Sequence, residues 1–278
     1  ISDGLSDTLE LDFTNSSTTL SARWKSFGSG ITYDYAIGTG NLKNNIVDWT
    51  ANSTDTSAIV TLSGAGQLQN STTYFFSVRG SNDQGSVTIT TDGVFVDLEE
   101  PKISSVTEFK NDLDWFGPTI DGHIFANASD NGGITKYEFS IGSSAGLDDI
   151  MPWTASDSNS YLADVSSLSE DVTYYSNARV TDVVGNVVTQ SSDGFKMDIT
   201  NPILGNISIG NEYQSDTSKV TYVWSDFDDL HSGIADYQYS LGTESGLTDV
   251  IPRTSFGLNA DFASCLLYTS DAADDKQC

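Results

Sequence analysis

Residues 134–154 read ITKYEFSIGSSAGLDDIMPWT, and the phrase occurs twice more, as ITYDYAIGTGNLKNNIVDWT at 31–50 and IADYQYSLGTESGLTDVIPRT at 234–254. Aligned on the glycine that follows Ile or Leu, Gly38, Gly142 and Gly242 stand 104 and 100 residues apart. Tyr33, Tyr137 and Tyr237 each precede that glycine by five residues. Trp49 and Trp153 match, and Arg253 takes their place in the third copy. Within the phrase, Tyr137-Glu-Phe-Ser-Ile and Tyr237-Gln-Tyr-Ser-Leu alternate large apolar with polar side chains. That period of two places successive residues on opposite faces of a strand. A repeat of this length is too long for a solenoid unit and has the size of a complete domain.

Two further blocks recur. Thr73-Tyr-Phe-Phe-Ser-Val-Arg79 matches Thr173-Tyr-Tyr-Ser-Asn-Ala-Arg179, followed by Gly85 and Gly185. Asp92-Gly-Val-Phe-Val-Asp97 matches Asp193-Gly-Phe-Lys-Met-Asp198, ahead of Pro101 and Pro202, and Ser2-Asp-Gly4 looks like that block closing an earlier copy. Clusters of Gly, Asn, Asp and Ser separate the runs, and no apolar stripe of helical period is evident. Short strands at regular spacing predict an all-β chain of antiparallel sandwiches.

These features resemble the fibronectin type III superfamily. Its strand-B tryptophan is matched by Trp24 and Trp224, with Phe125 in the second copy. The tyrosine corner before strand F is matched by Leu68…Tyr74 and Leu168…Tyr174. The resemblance covers nearly all of 8–264 and implies tandem Ig-like sandwiches, with a longer insertion after strand C than common members have. That insertion looks like variants in bacterial and environmental surface proteins. The expected organisation is the end of a preceding repeat at 1–7, repeats at 8–98 and 99–201, and a truncated third repeat at 202–264. The third copy, stopping before its tyrosine corner, is expected to be an incomplete sandwich.

Cys265-Leu-Leu-Tyr-Thr-Ser-Asp-Ala-Ala-Asp274 matches nothing in the repeats. It resembles the translation of a transposase-type sequencing adaptor, so 265–278 is set aside as a non-native tail. Both cysteines, Cys265 and Cys278, fall in it, which leaves no disulfide framework or thiol nucleophile. The sandwiches must then be held by their apolar cores.

The chain carries 39 Asp and Glu against 12 Lys and Arg, a formal charge of −27. Such a polyanion repels phosphate backbones and anionic lipid, arguing against nucleic-acid partners. No run is long and apolar enough to span a bilayer. The 13 Phe, 12 Tyr and 5 Trp argue against disorder. Its natural counter-ions are cations, and calcium is the ligand to consider, because it takes six to eight oxygens from carboxylates and carbonyls. The candidate donors are Asp97, Glu99 and Glu100 at one junction and Asp198 with Asn201 at the other. Asp130 and Asn131, or Asp226, Asp228 and Asp229, follow strand B; Asn82 and Asp83, or Asp182 and Asn186, close strand F. Asp and Asn also populate turns for conformational reasons alone, and no Asp-x-Asp-x-Asp-Gly loop is present.

Catalysis finds little support. His123 and His231 do not align between copies, and with so many acids some carboxylate pairing is unavoidable. Trp49 and Trp153 could form sugar platforms or simply cover an edge of the sandwich. The five sequons, at Asn15, Asn52, Asn70, Asn127 and Asn206, are no more than this composition gives by chance. The expected function is a non-catalytic structural or adhesive array of an extracellular or cell-surface protein, a spacer or binding stalk for a protein or polysaccharide ligand. The alternatives are accessory modules of a secreted hydrolase and a calcium-stiffened adhesin. No cofactor other than calcium is expected.

Overall fold

The computed structural model describes residues 1–6, 9–109, 111–117, 122–210, 213, 215, 219–258 and 263–266. The first repeat contributes β1 (Ser2–Asp3), β2 (Phe13–Thr14), β3 (Thr19–Arg23), β4 (Thr32–Thr39), β5 (Val47–Ser53), β6 (Ser57–Thr61), β7 (Thr72–Asn82), β8 (Gly85–Thr90) and β9 (Val94–Val96). The second contributes β10 (Lys102–Glu108), β11 (Trp115–Phe116), β12 (Gly122–Ser129), β13 (Ile134–Gly142), β14 (Met151–Ser156), β15 (Ser160–Ala163), β16 (Tyr175–Asp182), β17 (Val187–Ser191) and β18 (Lys196–Met197). The third contributes β19 (Asn206–Ile209), β20 (Lys219–Ser225), β21 (Tyr237–Leu241), β22 (Ile251–Gly257) and β23 (Ala263–Leu266). Among the described residues the only helical turn is the 3-10 turn Gly64–Gly66.

Compact packing divides the chain into two units that do not follow the repeat. One comprises Ile1–Asp114, Asp121–Val165 and Thr173–Phe195; the other comprises Trp115–Ile120, Ser166–Val172 and Lys196–Cys278. In the first unit, the second repeat forms sheets of order β10-β12-β15 and β14-β13-β16-β17. Written as strand letters this is A-B-E against C′-C-F-G, the fibronectin type III arrangement of a two-layered antiparallel sandwich. The first repeat follows the same plan, with β1-β3-β6 in one sheet and β2-β9-β7-β4-β5, β8 lying on β7, in the other. Its core is Leu20, Ala22, Trp24, Tyr33, Ile37, Leu68, Tyr74, Phe76 and Val78 with Val94 and Val96, drawn from both layers and from 1–96 alone. The tyrosine corner is present: the amide of Gln69 donates to Tyr74 Oη at 2.8 Å, while the ring is buried.

The strand-B aromatic of the second repeat needs correction. Ala126, not Phe125, stands where Trp24 stands, since Trp24 N–H donates to Thr56 and Ala126 N–H to Asn159 in the same place. Along β12, Gly122, Ile124 and Ala126 are buried while His123 and Phe125 face the other way. Aromatic identity misled where alternation would have decided.

The segment Ser2–Asp3, read as the tail of an earlier repeat, pairs antiparallel with β3 at Ser2↔Arg23 and Asp3↔Ala22. It thus occupies the position of β10 beside β12.

The second unit holds the parallel pair β11–β18, the sheet β19-β20-β23 and the hairpin β21–β22. The third copy has A-B-E and C-C′ strands, and no F or G strand among the described residues. Its core is correspondingly small: Val220, Tyr222, Trp224, Tyr239 and Ile251. Residues 263–266 pair with β20 in register Val220↔Cys265, so the backbone pairing runs two residues past the expected boundary at 264. Cys278 and the rest of 267–278 lie outside the described residues.

Candidate functional site

Two features recur between copies, and a third, acidic one stands at the first junction. The first is the glycine of the diagnostic phrase. A Cβ on Gly142 would lie 2.3 Å from Leu147 O; on Gly242, 2.3 Å from Leu247 O; on Gly38, 1.7 Å from Leu42 O. The insertion after strand C folds back over this glycine, so only hydrogen fits. It is closed by its own side chains: Ser143 N–H and Oγ–H donate to the two Asp149 oxygens at 2.8 and 2.6 Å. Thr243 and Asp249 repeat the clamp at 2.9 and 2.7 Å, and Thr39 with Asn45 substitutes for it in the first copy. Asn177, fully buried, donates Nδ2–H to Leu147 O at 2.6 Å and accepts from Gly146 N–H at 2.8 Å. Nothing in the repeat marks Asn177, because its counterpart in the first copy is Ser77.

The second feature crosses strands C′, C and F. Arg79 lies 4.4 Å above the ring of Trp49 and 2.8 Å from Asp34. Arg179 lies 4.5 Å above Trp153 and 2.9 Å from Glu138. Direct cross-strand pairing, Asp34↔Arg79 and Glu138↔Arg179, aligns the charges. The hydrogen bond from Arg179, together with Lys136, holds the Glu138 carboxyl below its usual range. Each indole thus has a guanidinium on one face, which favours the edge-covering role over a bare sugar platform.

The third feature is acidic. At the first junction, inside the first unit, Asp97, Asp130 and Asp182 each place an oxygen within 4.8 Å of the others. Asp97 is 0 % exposed. Its Oδ1 accepts from Glu99 N–H, whereas Asp97 Oδ2 and Asp130 Oδ1 are buried with no donor for either while both are ionised, and only a proton shared between the two carboxyls would join them. Gly132 leaves room there, for a Cβ would lie 2.5 Å from Asp97 Oδ2. Burial raises the Asp97 carboxyl, and Asp130 and Asp182 raise it further. Asp182 also caps the F–G turn, accepting from the amides of Val184, Gly185 and Asn186. Around the cluster, Asn131 Nδ2 donates to Asn70 Oδ1 and Ser71 Oγ, and Asn186 Nδ2 donates to Glu99 O at 3.1 Å. The side chains of Glu99 and Glu100 are exposed and stand outside the group.

At the second junction the arrangement differs. Asp198 Oδ1 accepts from Thr200 N–H and Oδ2 from Ser232 N–H, at 3.0 and 3.1 Å. Burial works against the charge of Asp198, but the Ser232 contacts outweigh it and its carboxyl titrates below the usual range. Asp229 accepts from His231 and Gly233 amides, Asp228 from the Asp229 amide, and Asn201 is exposed. Among the described residues none of these belongs to a group of three acids. The F strand that supplies Asp182 at the first junction has no counterpart here among the described residues. His231 lies 3.6 Å from Glu170 and stacks near Trp115, and His123 packs between Phe109 and Phe125.

A cavity of about 790 Å³ in the second unit runs along Ile234–Ser240 and reaches Trp224 and Trp115. It follows the edge of β21, which in the first two copies is covered by strand F. Among the described residues of the third copy no strand F covers that edge.

A buried acid occupies the end of strand A in both complete copies. Asp3 is 2 % exposed and Glu108 1 %. Burial pushes the Asp3 carboxyl up to about 7, against the hydrogen bonds of Thr91 and Gly93, with Asp92 and Glu10 adding to the rise. The folded state then keeps a proton that the unfolded chain releases near 3.8. The associated stability is complete below that lower value and is lost as pH climbs to about 7. In metal-free buffer, wild type is expected to lose thermal midpoint relative to Asp3→Asn over this window. Parallel midpoints for the two proteins across it would refute the assignment.

No family model matches the chain, and no curated protein matches it. Among solved structures, it is similar to the FN1–FN3 domains of chicken CNTN1, at 12 % identity and TM-score 0.36, over 91 % of this chain and 85 % of that one. It is also similar to a 1.5-MDa bacterial ice-binding adhesin, at 13 % identity and TM-score 0.39, over 81 % and 74 %. A third likeness is to a Ca2+-stabilized adhesin of an Antarctic bacterium that binds ice, at 15 % identity and TM-score 0.32, over 96 % and 65 %. At these identities and scores, the fold assignment rests on the chain's own strand order.

Proposed function

We propose that this chain is a non-catalytic spacer or binding stalk in an adhesive extracellular or cell-surface protein, with its first junction fastened by calcium. The observation that carries this reading is the junction built from Asp97, Asp130 and Asp182. Two buried carboxylate oxygens without a donor sit there amid side-chain bonds that tie 70–71 to 131 and 99 to 186. A flexible tether would not need such bonds, and a buried pair of unmatched carboxylates is costly unless a cation or a proton lies between them. Hard oxygen donors of this kind suit calcium. Pro101, following the junction, limits backbone freedom further.

The test is thermal unfolding of the full chain in chelator and in millimolar calcium, alongside Asp130→Asn. A site at one-hundredfold its dissociation constant should add about 2.7 kcal/mol to the wild type. Asp130→Asn, whose amide oxygen can still cap Gly132 and Gly133, should lose most of the junction's share. An equal calcium response in both proteins would remove calcium from the proposal. Small-angle scattering showing a freely flexing chain in calcium would remove the stalk.

A further inference from the structure

The buried acid of strand A belongs to a second carboxylate group, distinct from the junction donors. In the second repeat Glu108, Asp112 and Asp193 each offer an oxygen within 4.8 Å of the others. Glu108 Oε1 accepts from Ser192 Oγ–H at 2.6 Å, and the Ser176 hydroxyl also stands by the carboxyl, yet Oε2 is buried with no hydrogen bond of good geometry. Asp112 and Asp193 are exposed, so the group has one buried donor and two at the surface. Among the described residues, no Lys or Arg forms an ion pair with any of the three.

The same construction stands in the first repeat. Asp3, Glu10 and Asp92 form a group of the same spacing, again one buried and two exposed. The backbone proves the equivalence. Asp3 pairs with Ala22 and Glu108 with Ile124 on strand B. Gly4 N–H donates to Ser21 O and Phe109 N–H to His123 O, both at 2.8 Å. Leu11 N–H returns to Asp3 O and Leu113 N–H to Glu108 O. Glu10 and Asp112 are thus delivered by the same loop, and Asp92 and Asp193 by the same end of strand G. Between the copies Asp exchanges for Glu at the buried place and Glu for Asp at the surface. The third repeat places Ile209 opposite Tyr222, where the acid would be.

We propose that Glu108, Asp112 and Asp193 bind a divalent cation, calcium by its donor set. Three carboxylates and no nitrogen or sulfur ligand select a hard cation, and the exposed side leaves positions for water. The cation supplies the partner that Glu108 Oε2 lacks, and ties the loop after strand A to strand G within one sandwich.

Calcium binding to the full chain should be counted by equilibrium dialysis for wild type, Glu108→Gln, Asp193→Asn and Asp130→Asn. Glu108→Gln and the exposed Asp193→Asn are each expected to lose one bound calcium, the remaining sites keeping their affinity. Glu108→Gln should be at least as stable as wild type in chelator, since it removes an unmatched buried carboxylate. If Asp130→Asn loses one calcium while Glu108→Gln and Asp193→Asn lose none, this inference fails and the junction reading stands. If the reverse holds, the junction reading fails and this one stands. No bound calcium in wild type ends both.

Discussion

Replacing Gly142 by alanine is expected to lower the stability of the protein by about 3 kcal/mol or more, the upper range for forcing an extra carbon into packed structure. The added carbon would meet Leu147 O at 2.3 Å and Leu147 Cβ at 2.8 Å. Relief cannot come from a side-chain rotation, because the nearest atom is backbone. The loop itself is fixed by Asn177 at Leu147 O and by Asp149 at Ser143. The whole insertion must shift, and with it the register of β13 and β14. Thermal or denaturant unfolding would measure the loss, and hydrogen exchange should find it centred on 142–150. A Gly146→Ala control separates space from backbone geometry: Gly146 has φ +84 and no atom in the way. Its cost is expected to be only about 1–2 kcal/mol, from the left-handed conformation alone. Equal losses at the two glycines would show that crowding is not what Gly142 avoids.

Phe139→Ala should cost about 3–5 kcal/mol, the range for deleting a buried aromatic side chain. Phe139 is 0 % exposed and stacks 6.2 Å from Tyr161, across the layers of the second sandwich. The equivalent Tyr35 of the first repeat is only partly buried, at 5.4 Å from Phe76. Tyr35→Ala should therefore be the milder change by 1 kcal/mol or more, at about 25 cal/mol for each Å² of apolar surface. Chemical denaturation with a local probe in each repeat would distinguish them. A Tyr35→Ala loss as large as that of Phe139→Ala would place the packing centre elsewhere.

Much of this architecture is legible in the sequence because its determinants are local and repeated. Gly38, Gly142 and Gly242 announce one hairpin, and Leu68 with Tyr74 announces one corner. The alternation around Tyr137 gives the strand its faces. What escaped reading depends on pairing between distant strands. The counterpart of Trp24 is Ala126, and only the ladder between β12 and β15 shows it. Asp97 was legible as a junction acid, but its companions Asp130 and Asp182 were two among several turn acids until β13 and β16 brought their loops together. Glu108 and Asp193 are 85 positions apart and meet only because strands A and G end side by side. Asn177 carried no signal at all, since its role is to hold a loop thirty residues upstream, and its counterpart in the first copy, Ser77, meets Thr90 instead.

The guanidinium held between a carboxylate and an indole has an evolutionary corollary. Acid, arginine and tryptophan come from three neighbouring strands, yet each finds its purpose in the other two, so drift at one relaxes selection on the rest. The third repeat already displays the outcome: Gln238 stands at the acid's position and Arg253 at the indole's. Where the indole is gone, the acid that would face its arginine is gone too.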